Sequence, residues 1–328
     1  TADAVRKNLR HLLPPEIKYV LILSGDQLYR MDFREMIATH EAAKADVTIA
    51  AKPVDRSAAG SLGIMRINTG GRVVGFLEKP QTQQELDDVA MDPAWLRERG
   101  IQGDGDCLAS MGIYLFNRET LLAALEKTNY PDFGKDVFPA TIRSRHVQLH
   151  VFEGYWEDIG TIRSFYDANL QLAQPNPPFE LASADSPIYT RARSLPPTRV
   201  DGAAIHHSLV SDGCVIGEGS RIENCVIGLR CHIGRDVTIR NSVIMGADYY
   251  ETPDQLASNG GARRPPIGIG DGSVVENAIV DKNCHIGQGV QVIGDPRQIE
   301  RICGPNWDML DGIIVIPKNA ILSDGWRR

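Results

Sequence analysis

An α/β domain followed by a left-handed parallel β-helix is the fold that this sequence predicts. Three observations carry it. The apolar run Tyr19-Val20-Leu21-Ile22-Leu23 leads into Ser24-Gly25-Asp26, and a helix-like segment separates it from a second apolar run at 47–51. That is the strand–helix–strand order of a parallel sheet. From Val210 onward aliphatic residues recur every six positions and the pattern repeats every 17. Between the two regimes, residues 174–200 hold six prolines and no sustained period, which reads as a linker. The domains predicted are therefore 1–173, 174–200 and 201–328.

Taken in order, residues 2–13 have helical spacing, and Pro14-Pro15 stops that helix before the first strand. The strand at 19–23 reads as buried on both faces, and Asp26 at its carboxyl edge stands where open α/β sheets bind ligands. Asp32 caps a helix over 33–45. Residues 64–68 and 72–77 flank Thr69-Gly70-Gly71, a hairpin signal, and the second strand ends in Glu78-Lys79-Pro80. Residues 81–106 read as a polar loop with one short helix, 107–116 as an apolar strand, and 118–127 as a helix. Asp132-Phe133-Gly134-Lys135-Asp136 opens another helix, 147–152 is a strand, and Trp156-Glu157-Asp158-Ile159-Gly160-Thr161 leads into a helix ending near Leu172.

In the second half, Ile227, Ile233 and Ile239 each follow Val210, Ile216 and Ile222 by 17 residues. A polar insert at about 247–266 interrupts the repeat, yet 216–234 and 269–287 align with ten identities in nineteen, which unrelated hairpins would not produce. One aliphatic every six residues gives coils of three short strands with the aliphatics stacked inside.

The net charge of −7 and the lack of a Lys/Arg run argue against a nucleic-acid surface. No apolar stretch approaches the length of a membrane span and no secretory leader is visible, so neither membrane nor export is expected. The six cysteines show no metal-ligand spacing, and four lie inside the repeat as small buried hydrophobes. A reducing cytoplasm is the expected setting.

The motifs LSGDQLY, GIMRIN, FLEKP, SMGIYLF, DFGKD, YWEDIGT, SLPPT and DKNCHIG resemble the glucose-1-phosphate adenylyltransferases (ADP-glucose pyrophosphorylases) over essentially the whole chain. The insert that begins GADYYET is similar to the plant and cyanobacterial type. The resemblance implies a Rossmann-like nucleotidyltransferase domain ahead of the β-helix. It also implies formation of ADP-glucose and pyrophosphate from ATP and glucose 1-phosphate for glycogen or starch synthesis, in a homo-oligomer, a tetramer by resemblance.

The resemblance further implies that Asp26 and Asp158 hold Mg²⁺, which prefers oxygen ligands. Lys79 grips the sugar phosphate, with Glu78, Gly63 and Ser110 on the sugar side, and Asp132, Phe133 and Trp156 lie around the glucose. Read alone, Asp158 also suits a helix N-cap, and each aromatic suits a core. In the plant and cyanobacterial branch, lysines matching Lys282 and Lys318 bind an anionic effector. The family's Gly-rich, Arg-bearing phosphate loop has no counterpart after Thr1, so the triphosphate site is expected to be incomplete and the chain as given inactive alone. A dTTP- or UTP-using pyrophosphorylase and a non-catalytic family member remain as alternatives. A β-helix acyltransferase using His206, His207, His232 or His285 is disfavoured by the α/β domain in front.

Overall fold

The structure is a computed structural model that describes residues 1–101, 105–184, 186–262 and 264–328, with no side chain described over 258–262. Part of the Gly-Asp-Gly-Asp loop, residues 102–104, lies outside the described residues. The chain forms two compact units, residues 1–156 and 157–328.

In the first unit the strands are β1 (Tyr19–Ile22), β2 (Gln27–Tyr29), β3 (Val47–Val54), β4 (Gly63–Ile67), β5 (Val73–Glu78), β6 (Cys107–Asn117) and β7 (Val147–Val151). The main sheet runs β5-β4-β6-β3-β7, with β1 beside the carboxyl half of β6. The sheet is mixed rather than wholly parallel. β3 and β7 are parallel, whereas β6 runs antiparallel to β1, β3 and β4. The two strands of the opening strand–helix–strand segment thus flank β6 instead of pairing.

The composition of β6 suits that central place. Met111, Ile113 and Leu115 pack with Met36 and Ala50 on one face, while Leu108 and Phe116 join Val47, Leu121 and Phe138 on the other. By contrast β1 is not buried on both faces as expected. Among the described residues its ladder partner is β6 alone, Val20 is its one buried residue, and Leu23 just beyond it is 44% exposed. The opening helix is also shorter than its spacing suggests. It is split into Ala2–Arg6 and a tight turn, Leu9–Leu12, at Asn8, whose side-chain amide donates to the Ala4 carbonyl at 2.9 Å.

A bulge in β6 shapes the site. Against β3, Ile49 pairs Tyr114 and Ala51 pairs Ser110, so β6 carries two extra residues across that step. Gly112 takes φ +66° there, a left-handed conformation that costs a glycine little.

In the second unit the β-helix runs as the repeat predicts. Ile222 pairs Ile239, Ile239 pairs Val275 and Val275 pairs Val292, all in parallel register. Ile216, Ile222, Ile227, Ile233, Ile239 and Ile244 all lie in one core, with Cys214, Cys225, Cys231 and Cys284 among them. The first strand, Arg199–Val200, already pairs with Val215–Ile216, just ahead of the boundary drawn from sequence. A second interruption follows the first: Ile286 pairs Leu322, 36 residues on, because an antiparallel pair, Ile302–Gly304 with Trp307–Leu310, lengthens that coil. Helix Ile162–Leu172, assigned by sequence to the first domain, sets Tyr166 and Leu170 against Val243, Ile279 and Ile313 of the β-helix. Its apolar side is covered within the second unit.

Candidate functional site

The first unit gathers three of the candidate sugar-side residues, Gly63, Glu78 and Lys79, at one edge of the β4–β5 hairpin. Gly63 and Glu78 are cross-strand partners. A Cβ built on Gly63 would stand 2.8 Å from Glu78 Oε2 and 2.6 Å from Phe76 Cζ, and one on Gly134 would stand 3.0 Å from Glu78 Oε2. The carboxylate therefore rests on two bare backbones, a close approach that only glycine permits. Lys79 follows with φ +51°, although it is neither glycine nor asparagine and precedes Pro80. The proline disfavours the right-handed region for the residue before it, and a left-handed lysine is strained. Its N–H is tied to the Leu62 carbonyl at 2.9 Å, its carbonyl accepts from Gln81 Nε2 at 2.8 Å, and its side chain is left exposed.

A second group forms around the β6 bulge. The Gly112 N–H donates to Ser110 Oγ at 3.3 Å. A Cβ at Gly112 would lie 3.3 Å from Ser24 Cβ and 3.1 Å from Gln27 Nε2, so the bulge abuts the loop that carries Asp26. Within that loop Ser24 Oγ donates to Asp26 Oδ1 at 2.6 Å. Trp156 Nε1 donates to Gln27 Oε1 at 3.1 Å, and its ring is only 7% exposed, packed with Met36, Met111 and Ile113. Trp156 thus positions Gln27 from below. Tyr114, in hydrogen-bond contact with Ser110, has its phenol pushed up to about 12, chiefly by burial. It stays a neutral donor at any ordinary pH.

Two of the expected sugar-side residues also serve the fold. Phe133 is 1% exposed, with its ring 5.8 Å from Phe116 and 6.0 Å from Phe138, so it is a core ring and offers no face for stacking. Asp132 Oδ1 accepts from the N–H groups of Gly134 and Lys135 at 2.9 and 3.1 Å, capping the wide turn Phe133–Val137. Burial works to raise its carboxyl, but those amides and the Thr1 hydroxyl outweigh it and hold the group below the usual range.

Asp158, in the second unit, is not the cap of the helix after it. Thr161 and Ser164 form that cap, while Asp158 Oδ1 accepts from the Gly160 N–H at 2.9 Å and the carboxylate stays exposed. The reading of Asp158 as the N-cap is thereby removed. Among the described residues no cluster of three His, Cys, Asp or Glu side chains forms a metal cage. Asp26 and Asp158 are each exposed carboxylates, the donor type that a hard cation keeping several waters accepts.

Gln27, Tyr114 and Gly134 escaped the sequence reading. The bulge glycine in SMGIY signalled Gln27, but only through its contacts. The Gly of DFGKD signalled the third.

On the β-helix, Lys282 and Lys318 meet on one carboxylate. Lys282 Nζ lies 3.1 Å from Asp248 Oδ1, and Lys318 Nζ lies 2.7 Å from Asp248 Oδ2. A groove of about 420 Å³ opens beside Lys282 and Asp248, with Arg191, Arg193 and Arg230 as its other charged lining and Lys318 just outside it, joined through Asp248. Arg191 and Arg193 come from the linker and were not singled out in the sequence.

The chain thus joins an α/β unit, with an exposed lysine beside a glycine-floored carboxylate, to a β-helix. Comparison with family models agrees. The nucleotidyl transferase model matches residues 1–175, and the model of the GLGC left-handed parallel beta-helix domain matches residues 193–326. The chain belongs to the nucleotidyl transferase family. The first match runs past the packing boundary at 156/157, so the helix at 162–172 is part of the family's domain by sequence while it packs on the β-helix.

Proposed function

We propose that the protein is a glucose-1-phosphate adenylyltransferase, joining ATP and α-D-glucose 1-phosphate to give ADP-glucose and pyrophosphate. The observation that carries this reading is the pairing of a nucleotidyl transferase match with a GLGC-type β-helix in one chain. A phosphate oxygen of glucose 1-phosphate attacks the α-phosphorus of ATP and the bond to the leaving pyrophosphate breaks. Such a transfer needs alignment and charge neutralisation rather than a protein nucleophile. Lys79 supplies a fixed positive charge to the sugar phosphate, and Glu78 and Ser110 offer an acceptor and a hydroxyl to the sugar. Gln27, held by Trp156, fixes the loop that bears Asp26. Asp26 and Asp158 are the candidate ligands for Mg²⁺, which when bound would offset phosphate charge.

The same reading makes Lys282 and Lys318 part of a site for an anionic metabolite, makes the enzyme a homo-oligomer, a tetramer by resemblance, and sets it in the cytoplasm. Among the described residues no helix is long and apolar enough to cross a membrane. The test is pyrophosphate release with glucose 1-phosphate and Mg²⁺, comparing ATP with dTTP and UTP, on this chain and on one extended upstream of Thr1. Release that favours dTTP or UTP in both would overturn the assignment of ATP.

A further inference from the structure

We infer that Asp248 is a built-in competitor for the anion groove, a carboxylate that the insert places on the two lysines until an incoming phosphate displaces it. This rests on the effector reading of Lys282 and Lys318 and adds its regulation.

The repeat puts the lysines together. Val280 pairs Ile316, so Lys282 and Lys318 occupy equivalent places in adjacent coils, each followed by a left-handed asparagine, Asn283 at φ +61° and Asn319 at φ +62°. Two ammonium groups stacked on one edge repel each other. Asp248 lies at the start of the insert that breaks the 17-residue period, and its carboxylate bridges the two. Asn283 holds it there reciprocally. The Asp248 N–H donates to Asn283 Oδ1 at 2.8 Å, and Asn283 Nδ2 donates to Asp248 Oδ2 at 3.2 Å. The two lysines, with Asn283, hold the Asp248 carboxyl down near 2, so it is charged at any working pH. Asp281, next in the chain to Lys282, accepts from that residue's backbone N–H at 2.6 Å.

Two features make this arrangement a competitor rather than a permanent brace. Asp248, Lys282 and Lys318 side chains are 40%, 42% and 48% exposed, so the ion pairs are wet and weak enough to exchange. The charged lining of the groove is Arg191, Arg193, Arg230 and Lys282 against the single carboxylate of Asp248, an excess of positive charge that a carboxylate cannot satisfy. A phosphate brings more charge and more acceptor oxygens to the same donors. The occupant favoured is therefore a phosphate-bearing small anion.

The experiment is titration calorimetry of inorganic phosphate into the 328-residue chain, its D248N and D248A variants, K282A, and D248N/K282A. Releasing two exposed ion pairs should tighten phosphate binding by roughly 2- to 30-fold in both Asp248 variants. K282A should weaken binding, and the gain from D248N should shrink in the K282A background because the two share a partner. Equal or weaker binding in D248N and D248A, with K282A still weakening it, would overturn the competitor and leave the effector site standing. Isotherms that are the same in all five proteins would remove the effector site and the competitor together.

Discussion

The sharpest test of the sugar-side geometry is Gly63→Ala. One methyl group added at Gly63 would meet Phe76 Cζ at 2.6 Å, Phe76 Cε1 at 3.0 Å and Glu78 Oε2 at 2.8 Å. Glu78 has a free-swinging end and yields readily. Phe76 does not, because its ring lies 5.8 Å from the Phe138 ring and joins the same core cluster. Forcing a methyl into a packed site of this kind costs roughly 1–3 kcal/mol. For a unit of this size that corresponds to a fall in Tm of about 2–12 °C. The same push moves Glu78 off its glycine floor, beside Lys79, so affinity for glucose 1-phosphate should drop at least about tenfold, since small misplacements at a reacting site are costly. Differential scanning calorimetry and titration with glucose 1-phosphate read the two effects separately. Gly63→Ala combined with Phe76→Leu should recover the stability, by removing the clashing ring atoms, without recovering the affinity. A Gly63→Ala protein that melts and binds sugar phosphate like the parent would refute the close approach. Recovery of affinity by the second change would show that Phe76, not Glu78, sets the pocket.

Three further outcomes are expected. Lys79→Ala in the full-length protein should raise the KM for glucose 1-phosphate roughly 10- to 100-fold, the worth of a charge-assisted phosphate contact, with the KM for ATP little changed; steady-state kinetics decides. Asp26→Asn and Asp158→Asn should each lower kcat by orders of magnitude at saturating Mg²⁺ with the melting temperature held, because both side chains are exposed and Thr161 caps the helix after Asp158; a large loss of stability with modest kinetic change would return them to structural roles. Acid should weaken the first unit through His40 and His150, both held below the ordinary 6.5 by burial, with His40 between Thr48 Oγ1 at 2.8 Å and Asn117 Oδ1 at 3.2 Å. The unfolded chain takes up these protons first, so stability present above pH 6.5 falls as the pH drops below it. Melting temperatures between pH 7.5 and pH 5 should show a shallower slope for His40→Gln.

Where period and composition act locally, the sequence was enough. The spacing of Ile216, Ile222, Ile227, Ile233 and Ile239 specified the β-helix, because a coil closes only when an aliphatic turns inward at each corner-to-corner step. The Thr69-Gly70-Gly71 turn specified the β4–β5 hairpin. Strand order was not legible. An apolar strand reads the same whether its neighbours run parallel or antiparallel, and β6 took the place between β1 and β3 by having two apolar faces to cover. The side-chain roles of Phe133, Trp156 and Asp132 were equally hidden, since a ring or a carboxylate serves a core, a cap or a ligand according to what packs around it. The helix at 162–172 carried a clear apolar stripe, but the stripe could not name its partner; Val243, Ile279 and Ile313 did. Asp248 is the extreme case. In sequence it is one acid in a polar insert, 34 and 70 residues from the lysines it bridges. Only the stacking of coils, which brings residues 36 apart into register, puts those lysines within reach of one carboxylate.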